Sequence, residues 1–345
     1  MKTLKDIHKW LGLAFMVFLV GQTISGMLLL YRSPIENFIA GEDLKLNRQY
    51  SGVSLDKMLA GVETVMPNAV VSRLQLPADT GHAATVRLYM PDTQEYIFLS
   101  LDPETGAVMA PLKASKGLMF WVFRFHEDLL LGDTGAYINA ALGIMLLFMS
   151  VSGVYFWWLL RKRQKLAIDL SAPPMRKWYD IHRVVGVILA PILVILAVSG
   201  AGMTIRGFYL SGSATEQAIE SPEYMPLDPI YNEASRAQTI KEVRFNWSTG
   251  QAVFMINASD PAWPGAVDRI MVDMLSGRIE KTVYSVSVPS DQKFFAWFYP
   301  LHSSLALGSA GRFVLLILGA GLMMLVFSGF ILWRIRENRK NKTII

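Results

Sequence analysis

The chain of 345 residues is 52% hydrophobic, with a formal net charge of +5 and a mean hydropathy of +0.33. That is too apolar for an ordinary soluble enzyme and is expected of a membrane protein. It has no cysteine, which excludes disulfides, thiolate-bound iron–sulfur clusters and covalently attached c-type haem.

Four stretches carry no charged residue: Trp10–Tyr31, Thr134–Leu160, Val184–Ile205 and Phe313–Trp333. Each exceeds the roughly 20 residues that cross a hydrocarbon core. The first, preceded by Lys2 and Lys5, also has the outline of a signal peptide. Its uncharged run is long for one and resembles a span in mid-chain, so it is expected to be retained. Basic residues gather at the N-terminus (Lys2, Lys5, Lys9), between the second and third stretches (Arg161 to Lys177) and after the fourth (Arg334 to Lys342). This bias puts all three segments on the cytoplasmic side. It also accounts for the basic balance without a nucleic-acid partner.

The expected layout is transmembrane helix 1 over 1–32, an outer module over 33–116, and an interfacial helix with transmembrane helix 2 over 117–163. A cytoplasmic loop over 164–180 leads to transmembrane helix 3 over 181–206 and a second outer module over 207–289. An interfacial helix with transmembrane helix 4 over 290–336 and a tail over 337–345 complete it. The outer modules read as small α/β units. In the first, Ser54 is a helix N-cap ahead of Leu55, Met58, Leu59, Val62 and Val65 at helical spacing, stopped by Pro67. Strands follow near 70–76, 84–90 and 95–101, with DPETG as a turn. The second has a helix after Asp228-Pro229 and strands near 241–247, 251–258, 267–274 and 278–284. Neither contains a nucleophile–base pair, a metal cluster or a phosphate loop, so each reads as a scaffold or docking surface.

The chain repeats itself. DIHKWLG at 6–12 returns as DIHRVVG at 180–186, and at the same shift Ser25-Gly26 meets Ser199-Gly200 and Arg32 meets Arg206. FRFHEDLLLGDTG (123–135) matches FYPLHSSLALGSAG (298–311), aligning His126 with His302, Gly132 with Gly308 and Gly135 with Gly311. The match runs on through Gly143 and Gly319, Ser152-Gly153 and Ser328-Gly329, and Trp157 and Trp333. A tandem duplication of span, outer module and span is therefore expected.

Four of the five histidines fall in repeat-equivalent pairs; only His82, in a turn, does not. His8 and His182 are expected at one depth near the cytoplasmic face, and His126 and His302 at one depth near the outer face. Two imidazoles opposed across a helix bundle are what six-coordinate haem iron needs. Gly12 and Gly186 lie one turn beyond their histidines, where a flat ring needs room, though small residues serve plain helix packing equally well. Arg32 and Arg206 at the outer ends, with Arg124, and Lys9 and Arg183 at the inner ends, are candidate partners for haem propionates, although for any single one of them an interfacial anchor snorkelling to water is the more ordinary reading.

These motifs together resemble the PepSY-associated transmembrane proteins, and within them the iron-regulated ferric-siderophore reductases, over essentially the whole chain. The resemblance implies a multi-pass protein of the bacterial inner membrane with PepSY-like periplasmic modules. It implies haem b, two per chain by the ligand count, with His8, His182, His126 and His302 as axial ligands. It implies reduction of periplasmic ferric siderophores from Fe(III) to Fe(II). No dinucleotide glycine fingerprint is present, so the donor is expected to be a separate cytoplasmic reductase or a membrane quinol. The alternatives are a haem reductase with another periplasmic acceptor, or a non-redox regulator whose modules act on a peptidase.

Overall fold

The computed structural model describes residues 2–40, 44–93, 95–112, 117–163, 165–210, 224–236 and 238–343. In chain order, helix α1 (Lys2–Leu29) leads to α2 (Arg32–Ala40) and α3 (Leu55–Val65). Strands β1 (Val70–Gln75), β2 (Ala84–Met90), β3 (Glu95–Leu101) and β4 (Val108–Leu112) follow. Next come α4 (Leu118–Asp128), α5 (Gly132–Leu160), α6 (Pro174–Leu210) and α7 (Asp228–Ser235). The chain continues with β5 (Ile240–Asn246), β6 (Gln251–Asn257), β7 (Val267–Asp273) and β8 (Arg278–Val283), then α8 (Ser290–Ala296), α9 (Phe298–His302) and α10 (Gly308–Thr343). These elements form two compact units, one helical (Met1–Tyr31, Trp121–Gly212, Phe294–Ile345) and one built on a sheet (Arg32–Phe120, Ser213–Lys293).

In the helical unit, α1, α5, α6 and α10 are long and apolar enough to cross a membrane. Their charge-free runs favour helices because a helix satisfies every backbone group within the segment. Helix α5 packs on α6, α10 on α6 and α1, and α1 on α5, closing a four-helix bundle. Small residues set the close approaches. A Cβ added at Gly143 would lie 3.2 Å from Ala201 Cβ, and one at Gly319 would lie 2.6 Å from Met27 Sδ.

In the other unit the two segments expected as separate modules share one antiparallel sheet, in the order β4-β3-β2-β1-β5-β6-β7-β8. The meanders meet where β1 pairs β5, with Leu74 opposite Val243. Strand β4 is an element the sequence pattern missed. One core lies beneath, formed by Leu55, Met58 and Val62 of α3, Ile230, Tyr231 and Ala234 of α7, and the alternate residues of the strands. Ser54 caps α3 as its position predicts, accepting from Lys57 N at 3.2 Å. The two helices also cap each other. Asp228 accepts from Asp56 N (3.1 Å) and Ser54 Oγ (2.6 Å), while Asp56 accepts from the backbone N–H of Leu227 (2.8 Å) and Asp228 (3.1 Å). In the DPETG turn, Gly106 has φ +73° and lies so close to α3 that a Cβ would sit 2.1 Å from Lys57 O, so no other residue fits there.

Candidate functional site

The four repeat-equivalent histidines all lie in the helical unit, and one device holds each of them. His8 Nδ1 is 2.7 Å from Ser152 Oγ, His126 Nδ1 is 3.0 Å from Ser25 Oγ, His182 Nδ1 is 3.0 Å from Ser328 Oγ, and His302 Nδ1 is 3.2 Å from Ser199 Oγ. A serine has one proton to donate, and each of these hydroxyls has a backbone carbonyl of its own helix within reach. Ser25 contacts Gly21 O, Ser152 contacts Met149 O, Ser199 contacts Ile195 O and Ser328 contacts Leu325 O, at 2.7 to 3.1 Å. With its proton spent there, each serine accepts from the imidazole. His182 Nδ1 also lies 3.1 Å from Leu325 O, and His302 Nδ1 lies 3.1 Å from Leu196 O; a carbonyl can only accept. At His182 and His302 the proton therefore sits on Nδ1, the serine contacts of His8 and His126 are compatible with the same tautomer, and all four Nε2 atoms have no hydrogen-bond partner among the described residues. This arrangement orients a metal-ligating imidazole and fixes its tautomer.

The glycine after each serine makes room for the ring. A Cβ at Gly200 would lie 2.9 Å from His302 Cε1, and one at Gly26 would lie 3.0 Å from His126 Cε1. At Gly329 and Gly153 the corresponding distances to His182 and His8 are 3.4 and 3.8 Å. The Ser-Gly pairs were visible in the sequence only as small residues; their role as imidazole acceptors was missed. The repeated spacing was the available signal, but helix packing explains small residues equally well until the facing helix is known.

The imidazoles come together in two places. The His126 and His302 rings have centroids 6.1 Å apart, with an angle of 53° between their planes. Burial, then the neighbouring His302, pulls the His126 pKa down to about 4, and burial lowers that of His302 as well, so both rings are neutral and able to ligate a metal. Helix α4, which carries His126, is held at its C-terminal end by Asn139, whose Nδ2 donates to His126 O (2.6 Å) and Glu127 O (3.0 Å). Arg124 is ion-paired with Asp128.

His8 and His182 line a single cavity of about 310 Å³. Gly12, Gly186, Gly153 and Gly329 line it as well. Lys9 and Arg183 border it, each steadied by the aspartate of its own motif: Lys9 pairs with Asp6 at 3.1 Å and Arg183 with Asp180 at 2.8 Å. Arg183 also donates to the carbonyls of Lys165 and Ala167. Arg32 begins α2 in the sheet unit, where it pairs with Glu36 at 2.8 Å. The Arg206 side chain lies outside the described residues.

The residues fit a haem in three respects. A metal–imidazole bond of about 2 Å on each side, added to the half-widths of two rings, matches the 6.1 Å between His126 and His302. The inner cavity is mostly apolar and has small residues where a flat macrocycle would lie. Trp157 and Trp333 line it, and their buried indole N–H groups have no acceptor among the described residues. An unpaired buried donor costs about 1–3 kcal/mol, which carboxylates on an occupant would relieve. No group of three or more His, Asp or Glu side chains able to hold a bare metal ion occurs among the described residues.

A family model for the PepSY-associated TM region matches residues 6–336. No curated protein sequence matches the chain.

Proposed function

The chain belongs to the PepSY-associated transmembrane family, and on that premise we propose that it carries electrons across a bacterial inner membrane. In this reading, electrons from a cytoplasmic reductase or membrane quinol reach ferric siderophores in the periplasm, and the two histidine pairs would hold two b-type haems. The observation that carries it is the set of four imidazoles, each bound through Nδ1 to a serine and each keeping Nε2 open, grouped as His8 with His182 and His126 with His302.

When bound, haem would supply one-electron exchange at its iron. The chain does the rest. His8 and His182 would hold one haem through their open Nε2 atoms, and His126 and His302 would hold a second. The serines hold the rings so that no reorientation accompanies a change in iron charge. The apolar helix walls exclude water and favour the state of lower charge. Lys9 and Arg183 face the inner cavity with cationic groups suited to propionates. The basic segments set both termini on the cytoplasmic side, the sheet unit then lies in the periplasm, and the paired positions descend from a tandem duplication. Reduction loosens the ligand because oxygen-rich hosts prefer hard Fe(III).

The test is a redox spectrum of the protein purified in detergent from haem-replete cells, with a pyridine haemochrome assay. Low-spin b-type bands at about two haems per chain are expected, falling to about one in His302→Ala. A colourless protein would overturn the reading in favour of a non-redox regulator.

A further inference from the structure

The sheet has one face on its core and one face away from it, and the second carries charge that the fold does not require. Leu74, Val86 and Val243 point into the core, so the residues alternating with them point outward. On that face Arg73 of β1 is opposite Arg87 of β2 on one side and Arg244 of β5 on the other. Three guanidinium groups thus stand side by side across three neighbouring strands, where like charges directly opposite one another destabilise a sheet. Glu242 serves two of them, 3.2 Å from Arg73 Nε and 2.5 Å from Arg244 Nε. Burial and the two flanking guanidiniums pull the Arg73 pKa down, against the opposing pull of Glu242. Arg269 continues the cationic face, through Met255, which is opposite both it and Glu242.

Aromatic rings join the row at one end. Phe98 is opposite Arg87, and Tyr89 is opposite Tyr96 with ring centroids 5.5 Å apart. The Arg87 guanidinium lies 4.4 Å from the centre of the Tyr96 ring and donates to Ser72 Oγ. The surface is reachable: the side chains of Arg73 and Arg244 are 35% and 48% exposed, and Tyr96 is 37% exposed. Arginine forks beside exposed ring faces suit a ligand that is both anionic and aromatic.

We propose that this face docks the ferric chelate and that the class it fits is a ferric catecholate, which carries net negative charge on planar aromatic rings. An uncharged ferric hydroxamate offers neither feature. The inference rests on the reading of the protein as a ferric-chelate reductase and names its substrate class. Docking by the oxidised protein needs no electron, so the two can fail separately.

The experiment titrates a synthetic ferric tris-catecholate and an uncharged ferric tris-hydroxamate into the full chain in zwitterionic nanodiscs, reading binding by calorimetry and haem by absorbance. The parent should bind the catecholate at least tenfold more tightly than the hydroxamate, and increasingly weakly as salt rises. The double variant Arg73→Gln/Arg244→Gln should lose at least tenfold for the catecholate with an unchanged haem spectrum. Glu242→Gln, which removes the one carboxylate between the two arginines, should tighten it, a gain that misfolding cannot imitate. Equal parent affinity for both chelates, or a double variant that binds like the parent, would overturn the proposal. Selective catecholate binding by a preparation without haem would keep the docking face and sink the electron relay.

Discussion

Ser152 Oγ lies 2.7 Å from His8 Nδ1, although the two residues belong to different helices and are 144 positions apart. The same contact recurs between Ser25 and His126, Ser328 and His182, and Ser199 and His302. Removing one such hydroxyl leaves Nε2 in place but frees the ring to turn. If the proposed haem reading holds, Ser152→Ala should keep haem in the purified protein yet lose about 10–100-fold in haem affinity or electron-transfer rate, the usual scale for groups that orient a metal ligand. Haem retention during dilution and stopped-flow reoxidation check it. A variant indistinguishable from the parent in both would show that the serine only fills space.

The glycines next to these serines should differ in tolerance. Gly200→Ala puts a methyl 2.9 Å from His302 Cε1, whereas Gly153→Ala puts one 3.8 Å from His8 Cε1, an ordinary contact. The first should displace the ring and, on the proposed haem reading, lower haem content at the His126–His302 pair; the second should leave the haem count unchanged. Pyridine haemochrome assays on the two variants decide it, and equal losses would refute the geometric account.

Asp56 and Asp228 each cap the helix of the other. Replacing either with alanine should cost about 1–2 kcal/mol of stability in the sheet unit, as loss of a helix cap does. The double variant should cost less than the sum of the two, because both act at one junction. Protease susceptibility across a denaturant series measures all three. Full additivity would show that the caps act independently.

Asp102 is mostly enclosed, and burial alone would raise its pKa. The N–H groups of Thr105 and Glu104, and then Arg48, outweigh this and hold it below the usual carboxylate range. A folded-state pKa below the unfolded one adds stability that is fully present above the ordinary value of about 3.9. That stability is lost as pH falls through the lower folded value. Acidification from about pH 5 to about pH 3 should therefore destabilise the parent more than Asp102→Asn. Melts of the two proteins at both pH values check it, and parallel losses would exclude Asp102 as a contributor.

The spans were legible because charge-free runs of that length have few other uses, and the strands because Val86, Leu88 and their neighbours alternate with polar residues. The histidines stood out because a repeat exposes positions that composition hides. The pairing of β1 with β5 was not legible: an edge-to-edge junction between distant strands needs no special residue, and Leu74 opposite Val243 looks like any core pair. Arg32 was read at the end of a span, but the chain turns at Tyr31 and restarts as α2, where Glu36 four residues on takes the guanidinium. The serines were invisible as acceptors because a hydroxyl shows its partner only once the opposing helix has a register.

The contact between His126 and His302 joins positions 176 residues apart. A group bonded to both would lock a loop covering half the polypeptide. By the polymer estimate for cross-links, closing so long a loop withdraws on the order of 5 kcal/mol of freedom from the unfolded chain. Ligand supply would then govern how long each molecule survives in the cell as well as what it can do, since chains left unlocked would be the ones that proteases reach first.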